Sequence, residues 1–367
     1  MRIERRGGAP DLQTAFKKFV VRRLGGRALD DNQDAEAAEG KFPDFACFRD
    51  IVLMEMKHLE TDQHDRINEV FDTEIDPAEK PIFYGQREGH FITENVSNGE
   101  AIKNTITSKL SRTIEKLLHQ ANRQFSSYRS RHPCKNSVSI CIILNSTLRE
   151  FTPETVIHAI QGKMKLNASG ELRFPAIDAI LYISEKHFKI LPDGRIGLAV
   201  GIFEAAGTVF HPWKQQFVDR IVETWSRMRT GSKPVPSEDV SHFDPIHDIP
   251  KTMSRSDSWY LEYQRRPYMS ALPVERLKVL FNRCVAKISV SFVKGNWPKP
   301  PMEEAMKQGR VFAHLIEETN RRGLDLRQFG RNTLTPEQEM EVYAGLPPEL
   351  VAILTGKAPS ATDGAQG

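Results

Sequence analysis

Cysteine is scarce in this chain. Four occur in 367 residues (Cys47, Cys134, Cys141 and Cys284), and no two are spaced as CxxC. A reducing, cytoplasmic setting is therefore expected. No apolar run approaches the roughly 18–20 residues that span a bilayer, so no membrane partner is expected. The first ten residues, MRIERRGGAP, are charged and hold no apolar core, so no secretory signal is read there. A P-loop, a dinucleotide-binding fingerprint and a GxSxG elbow are all absent from the sequence. Any motor or sensing function would have to come from a partner protein.

What is present suits a globular protein: 39% hydrophobic and 27% charged residues, with a net charge of only +3. The length allows one large domain or two ordinary ones. The charge is unevenly placed. Residues 28–100 hold 19 acidic and 6 basic side chains, a net of −13. Residues 101–135 hold 8 basic side chains against the single acid Glu115, a net of +7. A basic segment can neutralise phosphates. It can equally be a solvated helix face that balances an acidic neighbour.

Residues 11–24 predict a helix, with Leu12, Phe16, Val20 and Leu24 four apart and Gly25-Gly26 as its stop. A strand pair is expected over 42–58. Residues 60–100 are polar, with turn residues and little periodicity, and read as an insertion. A long helix follows over 101–131, striped by Ile106, Leu110, Ile114, Leu117 and Ala121 and then by Gln124 and Tyr128. Residues 137–145 are continuously apolar, the pattern of a strand buried on both faces. A helix to about Met164 opens at Thr152, its N-cap, with Pro153 in the first position. Two more strands are expected at 176–184 and 195–203. Helices are expected at 212–228, 272–287, 301–322 and 336–354, with a linker or surface loop over 230–257 and a disordered tail from 358. The order predicts an α/β fold. A mixed sheet flanked by helices would fill 1–208, and a mainly helical accessory region would fill 209–357.

The segment KFPDFACFRDIVLMEMKHLE, residues 41–60, carries acids where a strand normally holds only apolar groups. If its loop is symmetric about the 49/50 bond, Asp44 lies directly across from Glu55. Directly opposed residues have Cβ atoms about 4.5–5.5 Å apart and share a face. Lys57, two residues on, shares that face as well. Two adjacent carboxylates repel and need a compensating charge. Mg²⁺ takes oxygen ligands and is often held by only one or two carboxylates.

Pro43-Asp44, ten intervening residues and then Glu55-Met56-Lys57 resemble the motif of the PD-(D/E)xK nuclease superfamily. The other acidic-x-Lys triplet, Glu39-Gly40-Lys41, contains Gly in a polar stretch and is a poor strand. Gln124-Phe125-Ser126-Ser127-Tyr128 is similar to the QxxxY pattern of the RecB-type branch, whose Gln and Tyr border the active site on the helix after the ExK strand. The resemblance implies a restriction-endonuclease-like fold and hydrolysis of phosphodiester bonds with Mg²⁺, or Mn²⁺. It makes Asp44, Glu55 and the Met56 carbonyl metal ligands. Lys57 would orient the water or steady phosphate charge, and Gln124 and Tyr128 would support the site. The substrate would be DNA, with RNA left open. Lys109, Arg112, Lys116 and Arg123 on the basic helix would contact its backbone. A role in prokaryotic anti-phage defence or restriction fits that family. The alternative is a catalytically silent module of the same fold that binds nucleic acid or a partner protein.

Other clusters compete less well. His242, Asp244, His247 and Asp248 could form a metal loop, but the flanking prolines favour a plain surface loop. His58 and His64 beside Glu60 and Asp62 could tune the site or lie in a solvated turn. Some members of the resembled family use one Glu from the first helix as a further metal ligand, and Glu36 and Glu39 are equal candidates for it. Trp213 and Trp225 read as core rather than as a base-stacking platform.

Overall fold

The structure is a computed structural model that describes residues 3–7, 9–29, 42–60, 63–82, 89–132, 137–166, 169–204, 212–236, 243–249, 252–290, 292–293 and 300–356. In chain order the elements begin with β1 (Glu4–Arg6), α1 (Leu12–Arg23), β2 (Arg27–Ala28), β3 (Phe45–Cys47) and β4 (Val52–His58). Then come α2 (His64–Glu74), α3 (Gly89–Thr93), α4 (Gly99–Arg131), β5 (Val138–Asn145) and α5 (Pro153–Lys163). They continue with β6 (Ala179–Ile190), β7 (Ile196–Glu204), α6 (Pro212–Thr230), β8 (Asp244–Pro245) and β9 (His247–Ile249). The rest is helical: α7 (Arg255–Arg265), α8 (Val274–Val290), α9 (Met302–Arg321), α10 (Pro336–Tyr343) and α11 (Pro348–Thr355).

Among the described residues the main sheet runs β2-β3-β4-β5-β6-β7, with β8 also paired to β6. Strands β4, β5 and β6 are parallel, and the flanking pairings β2-β3, β3-β4 and β6-β7 are antiparallel. The fold class is thus mixed α/β, with helices on both faces of a mixed sheet. The apolar run of β5 is buried along its full length because both of its faces are covered. One face packs Leu53, Cys141 and Ile143 under the α4 residues Ile114, Leu118 and Phe125 and the α5 residues Val156 and Ile160. The other packs Val52, Met54, Ile140 and Ile142 under Phe16 and Phe19 of α1 and Ile221 and Trp225 of α6. Trp225 is core, its ring centroid 5.1 Å from that of Phe16, tilted to it, and 5.1 Å from that of Phe19, edge-on.

The chain divides into two compact units, 1–72 with 103–251, and 73–102 with 252–367. This differs from the expected division at 208/209. Helix α6 and strands β8 and β9 belong to the unit that holds the main sheet, and residues 73–102 join the helical unit. The segment 60–100 is not a plain insertion, since α2 and α3 and the start of α4 occupy it. In the helical unit its backbone is tied in where Leu326 N–H donates to Ile82 O (2.8 Å) and Ile82 N–H to Asp325 Oδ1 (3.0 Å). The core of this unit holds Tyr263, Met269, Leu277, Leu315 and Phe329. Glu318 is fully buried there, and Tyr263, Arg321 and Arg322 donate to it.

Strand β6 outruns its expected end at Ser184. Its extension Glu185-Lys186-His187 is polar yet buried, and a bulge between Ser184 and Phe188 carries it. The charged groups of Glu185 and Lys186 are satisfied from outside the strand. Arg229 donates twice to the Glu185 carboxylate (2.6 Å each), and Lys186 Nζ meets Asp248 at 2.6 Å. Asp248 also pairs with Arg5. The expected loop over 230–257 therefore returns to the main sheet through β8, which pairs with β6, while β9 pairs with β1 in a separate two-stranded sheet. Asp248 serves these ion pairs rather than a metal loop, and His242 lies outside the described residues. The expected helix over 336–354 is two helices, broken where Gly345 turns left-handed (φ 83°) and two prolines follow.

Candidate active site

The β3-β4 hairpin builds the site. Phe45 pairs with Met54, Ala46 with Leu53 and Cys47 with Val52, the register of a loop symmetric about the 49/50 bond. One residue further, Asp44 and Glu55 clasp each other's strands. Asp44 N–H donates to Glu55 Oε2 (3.1 Å), and Met56 N–H donates to Asp44 Oδ2 (2.7 Å). In a strand the N–H and C=O of one residue point to the same edge, so the Met56 carbonyl faces the Asp44 edge too. The register holds because the turn is tight. Phe48, Arg49 and Asp50 all take left-handed φ values of 53°, 57° and 64°.

Glu55 is 1% exposed, and its Oε1 lies 2.5 Å from Lys57 Nζ. Burial pushes the Glu55 carboxyl above its ordinary value, opposed by Lys57, the Asp44 N–H and Gln124. Lys57 Nζ also donates to Gln124 Oε1 (3.0 Å), and Gln124 Nε2 donates to Phe42 O (3.0 Å). Gln124 therefore reaches the site despite the long segment between β4 and α4. Tyr128, one turn on, is buried, with its ring edge-on to Phe42 at a centroid distance of 5.4 Å. Gln124 and Tyr128 both grip the Phe42 segment that delivers Asp44. The role of Phe42 was missed at the sequence level, although its position next to Pro43-Asp44 was the available signal.

Strand alternation sends His58 to the other face. There its Nε2 meets Ser146 Oγ (3.0 Å) and its Nδ1 meets Glu60 Oε1 (3.1 Å). It does not join Asp44, Glu55 and Lys57. Asp62, Glu36 and Glu39 lie outside the described residues. On α4, Arg112, Lys116 and Arg123 are exposed, and Lys109 is half-buried and 3.7 Å from Glu69. At 100° per residue these four share an arc of roughly 60°, about 90° around the helix from Gln124, over ~21 Å of its length. Glu115 lies off this arc and is held by Lys163 (2.6 Å) and Arg173.

Among the described residues no three His, Cys, Asp or Glu side chains converge as a metal cage. The donors here are two carboxylates and one backbone carbonyl, all hard oxygens. That set fits a Mg²⁺ that keeps several waters, and it suits neither zinc nor copper. No protein-family model matches this chain, and comparisons with curated proteins and with solved structures find no match.

Proposed function

We propose that this protein is a Mg²⁺-dependent nuclease that hydrolyses DNA phosphodiester bonds. The observation that carries the reading is the reciprocal clasp of Asp44 and Glu55, with Lys57 between Glu55 and Gln124. Structural ion pairs seldom place a second carboxylate beside one that is already buried, because the two repel. Asp44, Glu55 and the Met56 carbonyl would hold a divalent cation, which supplies Lewis acidity and an activated water when bound. Lys57 holds positive charge where a phosphate oxygen would gain negative charge. Gln124 fixes the Lys57 ammonium, and Tyr128 and Phe42 fix the backbone that carries Asp44. The arc of Lys109, Arg112, Lys116 and Arg123 would contact the sugar–phosphate backbone, which positions a duplex without reading its sequence. By family resemblance its setting is prokaryotic anti-phage defence or restriction.

With Mg²⁺ or Mn²⁺ the purified protein is expected to cleave DNA. Asp44→Ala and Lys57→Ala should each lose at least ~100-fold in rate, the scale on which such charge-stabilising groups act. Undiminished cleavage by both variants refutes the reading. A second reading is a binding module of the same fold without catalysis. One observation favours it: Lys57 already neutralises Glu55 without a metal ion. Melting with and without Mn²⁺ separates the two. The module would show no shift, or the same shift in Asp44→Ala.

A further inference from the structure

The charge balance of the site raises a question that the nuclease reading leaves open. Glu55 is almost completely buried, and the cation at its Oε1 is Lys57. The other carboxylate oxygen, Oε2, is engaged by the Asp44 N–H. A divalent ion that ligates Glu55 through Oε1 therefore meets an ammonium on the same oxygen. Two cations on one desolvated oxygen repel strongly, because little water intervenes to screen them.

One partner of this pair can move and the other is held. The Glu55 side chain is fixed by the Asp44 N–H on Oε2 and by the packing that buries it. Lys57 is 16% exposed at its side chain and has a four-carbon stem with rotatable donors. It also has a second seat. Gln124 Oε1 is 3.0 Å from Nζ, and the bond from Gln124 Nε2 to Phe42 O keeps that oxygen turned towards Lys57.

We infer that Lys57 and the divalent cation are alternative partners of Glu55, and that Gln124 holds the Lys57 ammonium when it withdraws. The inference rests on the nuclease reading of this site. It gives Lys57 two tasks: it closes the charge of Glu55 in the resting protein, and it stands beside the substrate phosphate once displaced. It also sets a threshold for metal loading, since part of the binding free energy is spent on parting the ion pair.

The test is a titration of the full chain with Mn²⁺ alone, read by the electron paramagnetic resonance signal of the free ion. Wild type is compared with Lys57→Gln, Lys57→Met, Gln124→Leu and Asp44→Ala, together with their melting midpoints in chelator and in Mn²⁺. Lys57→Gln keeps a hydrogen-bonding group at the position and guards against misfolding of Lys57→Met. Both Lys57 variants are expected to bind Mn²⁺ at least about tenfold more tightly than wild type. They should melt lower in chelator and gain more on adding metal. Gln124→Leu removes the second seat, so it should bind Mn²⁺ several-fold more weakly. Equal or weaker Mn²⁺ binding by both Lys57 variants, in a wild type that binds the ion and cleaves DNA, overturns the inference and leaves the nuclease reading standing. If neither wild type nor any variant binds Mn²⁺, the inference and the nuclease reading fall together.

Discussion

At the scale of single residues, burial dictates which groups carry charge. His187 is fully buried, and burial holds its imidazole neutral. Its Nε2–H donates to Arg149 O (3.1 Å), a pure acceptor, so Nδ1 is left to accept from the Ser184 hydroxyl (2.9 Å). Burial first, and then the charges of Lys186 and Arg149, bring its pKa down to about 4, against the Arg149 carbonyl, which favours the charged ring. The sign follows. A depressed histidine pKa means that the unfolded chain binds the extra proton first, so stability is full above about pH 6.5. It falls as pH drops from there towards about 4, by on the order of 3 kcal/mol. Urea unfolding of wild type and His187→Gln between pH 4 and 7 checks this: the variant should lose most of that slope. Asp44, Glu55 and Lys57 were legible at this scale, since a strand period and a symmetric loop suffice to align them. The partner of Lys186 was not, because Asp248 lies far from it in sequence.

At the scale of elements, the β3-β4 hairpin and helix α4 decide what the site can do. Three successive non-glycine residues in the left-handed region are costly, at roughly 1–2 kcal/mol each. Asp50 is the best suited of them, and it receives a bond from Arg27 at 3.3 Å. Arg49 is exposed at the tip. Arg49→Gly should therefore stabilise the fold by about 0.5–1 kcal/mol, visible as a higher melting midpoint. A lower midpoint would mean that Arg49 makes a contact worth more than its strain. On α4, each phosphate contact contributes a slope of about −0.9 to the dependence of log affinity on log salt. The double variant Arg112→Gln, Lys116→Gln should bind duplex DNA more weakly, with a slope shallower by roughly 2. An unchanged slope would remove this face from the interface. Helix α4 was legible from its stripe. The polar end of β6 was not, because alternation and apolar runs mark a strand only where its neighbours are apolar too.

At the scale of the whole molecule, the chain is not divided once along its length. It passes between its two compact units at 72/73, 102/103 and 251/252, and the first two boundaries fall within or beside α2 and α4. A chain ending at Lys251 loses the partners of Ile82, which are Asp325 and Leu326. Hydrogen exchange on that fragment should keep protection along β4, β5 and β6. It should lose protection at Ile82, while full-length protein retains it. Loss of protection throughout the sheet would show that the first unit does not fold without the second.

Strands β3 to β7, helices α1, α4, α5, α6, α8 and α9, and the hairpin register were all legible in the sequence. They follow from local periodicity and turn chemistry, which need no knowledge of distant residues. It also marked Asp44, Glu55 and Lys57 as a group, because they share one hairpin. Two things were left to the tertiary contacts. They brought Gln124 to Lys57 and Tyr128 to Phe42, and they assigned 73–102 and 209–251 to their units. One physical cause underlies both. Where a long-range contact forms is set by how helices pack on the two faces of a finished sheet, and no window of neighbouring residues contains that information.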